Sequence, residues 1–231
     1  MSAFSLRLTA LTCMLADHTG LALFPGAAAL RCIGRLSFPL YCFLLVQGYL
    51  HTRDLRAYAR RLLLAAFVTE VPFDLLIFAS IASPVEQNAL FSLLLALMAL
   101  YAGDALDGLQ ALMVQALLCV FAMAAGVSYG WLGIALCLCI RHAGESRTKL
   151  ILSVSAALLT YSLSLLLSGV LISWVLISLC ALLSLIPMLA YNGRCGARSR
   201  VLTALFYTAY PLHLLLLAGL RAMRIVPPYW P

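Results

Sequence analysis

The chain has 231 residues, of which 65% are hydrophobic and only 10% charged, and its mean hydropathy is +1.05. That composition excludes a soluble globular domain, and the longest charged interval, RHAGESRTK at 141–149, is too short to be a separate catalytic domain, so residues 1–231 read as one polytopic, all-α transmembrane bundle. The net charge of +7 lies mostly in short connections between apolar runs, which points to membrane topology and not to nucleic acid.

Apolar runs bounded by turn and charge signals predict nine spans. The first, near 7–24, begins with Arg7 and carries Asp17 and His18 side by side; these two interrupt what could pass for a signal-peptide core, so the run is read as a span. The second, near 29–50, holds Arg31 and Arg35 at i, i+4, with Pro39 close behind. Arg53, Arg56 and Arg60 then fall at i, i+3, i+7, a basic stripe suited to anionic lipid. The third span, near 62–82, carries Glu70 and Asp74, again at i, i+4, around Pro72. The next five, near 88–103, 109–125, 129–141, 149–167 and 170–190, are charged only at their ends. The ninth, near 201–221, holds His213 beside Pro211 and is followed by Arg224. The eight cysteines form no CxxC pair and read as small core residues.

Three connections are rich in arginine and lysine: Arg53/Arg56/Arg60/Arg61, Arg141/Arg147/Lys149 and Arg194/Arg198/Arg200. They alternate correctly for a multi-pass membrane protein with its N-terminus in the cytoplasm. Asp104 and Asp107 in a cytoplasmic turn, and Arg221 and Arg224 outside, pull weakly against this orientation.

Ionisable groups within a bilayer are costly and mark functional sites by default. At ~1.5 Å per residue from the nearest cytoplasmic arginine, His18 is ~16 Å deep, Glu70 ~14 Å, Asp74 ~20 Å and His213 ~20 Å, so three helices present titratable groups at one level. The like-charged pairs Arg31/Arg35 and Glu70/Asp74 each share one helix face. They are tolerable if the arginines meet the carboxylates, or if one carboxylate keeps its proton. Arg7 and His18 return to within ~20° of the same face, so one ligand could touch both. Pro39, Pro72 and Pro211 each free a backbone carbonyl close to this layer.

No GxSxG elbow points to a serine nucleophile, and no HExxH-like spacing supports a metal site. Two functions remain. A proton-coupled transporter would use the histidines and carboxylates as a relay. A group-transfer enzyme would admit a charged donor by its phosphates near the basic loops and use a midplane histidine as general base.

The motifs MLADHTG, LRCIGRLSFP, LVQGYLHTR, TEVPFD, QNALFSLLLAL, YGWLG and YPLHL, in this order from about residue 7 to 217, resemble the TraX family of conjugal-transfer membrane proteins associated with N-terminal acetylation of pilin. That family in turn resembles a large membrane acyltransferase class whose first helix carries Arg, ten residues, then His, a spacing matched here by Arg7 and His18. The resemblance implies an acetyl-CoA-dependent acyltransferase whose acceptor is a pilin or another cell-envelope molecule. It implies His18 as base, oriented by Asp17, Glu70 or Asp74, with Glu70 or Asp74 preferred because Asp17 points ~100° away around the helix. Arg35, with Arg31, would stabilise charge on the thioester oxygen. Arg7, Arg53, Gln47, Tyr210 and His213 are the further binding candidates. Gln47 departs from the pattern, which leads one to expect an acid there.

Overall fold

The computed structural model describes residues 1–197 and 199–223; Arg198 and Arg224 lie outside the described residues. Among the described residues, nine helical rods follow in the expected order. They are α1 (Ala3–Leu23), a second rod made of α2 (Ala28–Arg35) and α3 (Ser37–His51), α4 (Leu55–Phe78), α5 (Ala89–Ala105), α6 (Gly108–Ala124), α7 (Trp131–Ala143) and α8 (Arg147–Leu167), then an eighth rod of α9 (Ile172–Leu179), a 3₁₀ turn (Cys180–Ser184) and α10 (Leu185–Leu189), and finally α11 (Arg200–Met223). The fold is all-α; among the described residues, extended pairing is confined to an isolated bridge between Gln87 and Val127.

The ends of these helices follow from side chains that accept otherwise orphaned N–H groups. Ser2 accepts from Ser5 at 3.2 Å, Asp54 from Ala57 at 2.8 Å, Asn88 from Leu90 at 3.0 Å and Ser146 from Lys149 at 3.3 Å. The second rod breaks at Leu36 because Pro39, which has no N–H, cannot bond the carbonyl of Arg35. Pro72 and Pro211 lie inside unbroken α4 and α11.

Four rods, covering Ala28–His51, Arg147–Leu167, Ile172–Leu189 and Val201–Met223, are long and apolar enough to cross a bilayer by length and composition. Helix α6 exposes Leu109, Leu112, Leu117, Val120 and Phe121, a surface made for acyl chains and not for water. The chain is therefore a membrane protein. Lipid tails are as apolar as leucine, so helix contacts must come from close packing and polar bonds. At Gly34 an added Cβ would lie 2.2 Å from the Cβ of Asp17, and at Gly133 it would lie 2.1 Å from Ser92 Oγ; these two glycines set how closely α2 meets α1 and α7 meets α5.

Two buried clusters result. One joins α3, α5, α7 and α8 through residues such as Leu40, Leu97, Leu136 and Val154; the other joins α1, α4 and α11 through Met14, Phe73, Leu76 and Leu214. Tyr41 and Leu90 pack against both, and the site lies along this seam. At the arginine-rich end, Asp104 accepts from Tyr49 at 2.7 Å and pairs with Arg141 at 3.3 Å, so the acid in that turn is a partner of the basic loops.

Candidate functional site

A cavity of about 1220 Å³ runs along the seam. Its arginine-rich end is walled by Arg7, Gln47, His51, Arg61 and Cys195, its middle by Asp17, His18, Arg31, Arg35 and Tyr210, and its opposite end by Glu86, Ser128, Tyr129 and Arg221. The shared face expected for Arg7 and His18 is thus a cavity face. Arg53 stands apart, exposed in the turn before α4.

Behind His18 stands His213, 8% exposed, on the last helix. His18 Nδ1 lies 2.7 Å from His213 Nε2, and His213 Nδ1 lies 2.8 Å from the carbonyl oxygen of Ala209. A carbonyl can only accept, so in the neutral pair the proton on His213 must be at Nδ1, and its Nε2 must accept. His18 Nδ1 then donates, and His18 Nε2 keeps its lone pair. The two rings and Tyr210 form a loose stack, with centroids 4.9 Å apart for His18 and His213 and 6.1 Å for His18 and Tyr210. A cavity-wall imidazole with its tautomer set from behind is the arrangement a general base requires.

This corrects the sequence reading at two points. Neither Glu70 nor Asp74 orients His18; His213, expected only as a binding residue, does. The arginine pair also meets Asp17, not the carboxylates of α4: Arg31 pairs with Asp17 at 2.9 Å and Arg35 at 3.1 Å, and Arg31 also donates to the Asp17 carbonyl at 3.1 Å. The physical reason is the break at Leu36 together with Gly34, which let α2 lie against α1 closely enough for both guanidiniums to reach one carboxylate. Arg31 further lies over the Trp174 ring at 5.5 Å. Two guanidiniums against one carboxylate leave a formal charge of +1. Arg31 Nε and Arg35 Nε are buried with no hydrogen-bond partner, so Asp17 alone does not satisfy the two guanidiniums.

Glu70 and Asp74 have another task. Glu70 Oε2 accepts from the Asn88 backbone at 3.2 Å and from the Asn88 side-chain amide, and Asp74 Oδ2 accepts from the Ser83 backbone at 2.8 Å. Both carboxylates therefore fasten the connection between α4 and α5, and neither lines the cavity.

Sequence reasoning missed Tyr129, Arg61, Glu86 and Arg221 in the cavity wall. Tyr129 stacks flat on Phe38, with centroids 3.8 Å apart and planes 5° apart, and it does so with φ of 64°, a strained left-handed backbone for a tyrosine. The signal available was its place in the YGWLG motif, where Gly130 follows it with φ of 47°.

Compared with known proteins, the chain matches the family described as TraX protein over residues 2–221. Among curated proteins it is similar to a probable fimbrial assembly protein FimC, serogroup H1, of Dichelobacter nodosus, with 36% identity over 110 residues; this match covers 43% of the chain and 45% of that protein. The matched part thus spans about half the length of the curated relative. No solved structure matches.

Proposed function

The chain belongs to the TraX family, and from that premise we propose that it is an acyltransferase of the bacterial inner membrane, moving an acetyl group from cytoplasmic acetyl-CoA to an amine presented from the other side, in the first instance the N-terminus of a pilin. The fimbrial-assembly relative supports a pilus-related acceptor. The arginine-rich end, assigned to the cytoplasm by the charge of its loops, suits a phosphate-bearing donor, with Arg7 and Arg61 in the cavity wall.

The observation that carries the reading is the directed chain from His18 through His213 to the Ala209 carbonyl in the wall of a cavity that reaches both ends. In the proposed step the nitrogen of a neutral amine attacks the thioester carbonyl carbon and the C–S bond breaks. His18 Nε2 takes the surplus proton from the nitrogen and returns it to the departing thiolate, so the products are the amide and the free thiol. Asp17 holds Arg31 and Arg35 in the cavity wall, where guanidinium N–H groups would stabilise the oxygen that becomes negative. Donors of this kind contribute a factor of ~10²–10³ each, and a general base ~10²–10⁴.

The test is radiolabelled acetyl transfer from acetyl-CoA by purified protein in lipid nanodiscs, wild type against His18→Ala. Transfer by the wild type and its loss in the variant are expected. Full transfer without His18 sinks the assignment. No transfer by either, with proton-driven uptake that depends on His18, would make the protein a transporter.

A further inference from the structure

The charged side chains in the cavity wall are unequally partnered. Among the described residues five are arginines: Arg7, Arg31, Arg35, Arg61 and Arg221. Only two are carboxylates, Asp17 and Glu86. Asp17 is already held by two guanidiniums, whereas Glu86 forms no ion pair among the described residues. It stands at the end of the cavity away from the basic loops, half-buried, and a buried neighbour fixes it: Ser128 Oγ donates to Glu86 Oε1 at 2.6 Å.

The backbone around this pair is fastened as well. Gln87 N donates to the Gly126 carbonyl at 2.9 Å, and Ser128 N donates to the Gln87 carbonyl at 2.9 Å, so the α4–α5 and α6–α7 connections are tied together beside the carboxylate. At Gly126, φ is 62° and an added Cβ would lie 2.7 Å from the Val85 carbonyl oxygen, so the junction has no slack. Glu70 and Asp74 hold the other side of the same connection through Asn88 and Ser83. A carboxylate held this firmly in a cavity wall, with its other oxygen uncommitted, is prepared for a cation that comes from outside the protein.

We propose that Glu86 is the docking residue for the acceptor, binding its terminal amine as the ammonium and thereby selecting a primary amine at a polypeptide N-terminus over a hydroxyl. This deepens the acyltransferase reading and rests on it. Arginines predominate in the rest of the wall and repel an ammonium; Glu86 offsets that repulsion where the acceptor enters. On leaving Glu86 the ammonium gives its additional proton to water, so the amine that continues to His18 is the neutral nucleophile that the transfer step needs.

The experiment reads binding without any acyl donor. A hexapeptide amide is prepared in two unreactive forms, Nα-trimethylated with a fixed positive charge and Nα-acetylated without one, and each is titrated into the protein in nanodiscs. The wild type is expected to bind the trimethylated form at least tenfold more tightly. Glu86→Gln, whose amide oxygen can still accept from Ser128, should bind both forms equally, and Glu86→Asp should retain a preference. No preference in the wild type, or the full preference kept by Glu86→Gln, overturns the proposal. Because no donor is present, this outcome is independent of acetyl transfer: transfer that proceeds normally in Glu86→Gln with amine peptides at low concentration would also remove Glu86 from the acceptor site while leaving the acyltransferase reading intact.

Discussion

Replacing His213 by leucine removes the acceptor for His18 Nδ1 and also empties the bond to Ala209, while the volume next to Tyr210 stays roughly filled. The two bonds, at 2.7 and 2.8 Å, are short and largely removed from water. The structure predicts two separate consequences. For stability, the loss of two hydrogen bonds at ~1 kcal/mol each is partly offset by packing, and the His18 N–H left without a partner costs ~1–3 kcal/mol more, unless the ring turns or a water enters. For catalysis, His18 is no longer held in the tautomer that places the lone pair at Nε2. The base then contributes a fraction of its ~10²–10⁴, and we expect kcat to fall ~10²-fold while the KM for acetyl-CoA changes less than threefold. His213→Gln keeps an oxygen that can accept from His18 and should recover part of the rate. The assay is initial-rate acetyl transfer in nanodiscs over a range of donor concentrations, with thermal unfolding measured in parallel. A His213→Leu protein within twofold of wild-type kcat refutes the orientation of His18 from behind.

Four further outcomes follow from the geometry. Asp17→Asn leaves two guanidiniums against no carboxylate and should cost ~3–5 kcal/mol, read as a large drop in thermal stability in detergent; Arg35→Leu combined with Glu70→Gln should be no more stable than Arg35→Leu alone, because these residues are not partners. Gly34→Ala should cost ~1–3 kcal/mol through the clash with Asp17, and an unchanged melting temperature would count against the close α1–α2 contact. Cys195, exposed at the arginine-rich mouth, should resist a membrane-impermeant maleimide in intact cells, react after permeabilisation and be protected by acetyl-CoA; ready labelling from outside would reverse the orientation.

The nine rods were legible because a membrane helix is written as a long apolar run with punctuation, and here the punctuation is explicit: Ser2, Asp54, Asn88 and Ser146 begin helices as accepting side chains. Depth was legible too, since residues counted from a basic loop measure distance along a nearly straight rod; His18 and His213, placed at similar depth by counting, do meet. Pairing between helices was not legible. Counting put Arg35 far above Asp17 because it treated the second rod as straight, and the break at Leu36 and the bare backbone at Gly34 remove that assumption. Glu86 was invisible for a different reason. It sits in a short connection where an acid is ordinary, and only the tie between two connections makes it part of a wall.

The first turn of α1 is completed from far along the chain. Ala3 N–H donates to the carbonyl of Arg194 at 2.8 Å and Phe4 N–H to that of Cys195 at 3.1 Å, and the partner of His18 follows still later, on α11. At ~5–20 residues per second, a ribosome needs roughly 10–40 s between making the first helix and making the residues that close it. Throughout that interval the first helix sits in the membrane with His18 unaccompanied and the arginine-rich mouth unfinished. A chain released before α11 is made would carry nearly all the polar groups of the cavity and still lack the ring that partners His18, so the order of synthesis itself leaves the histidine pair to the end.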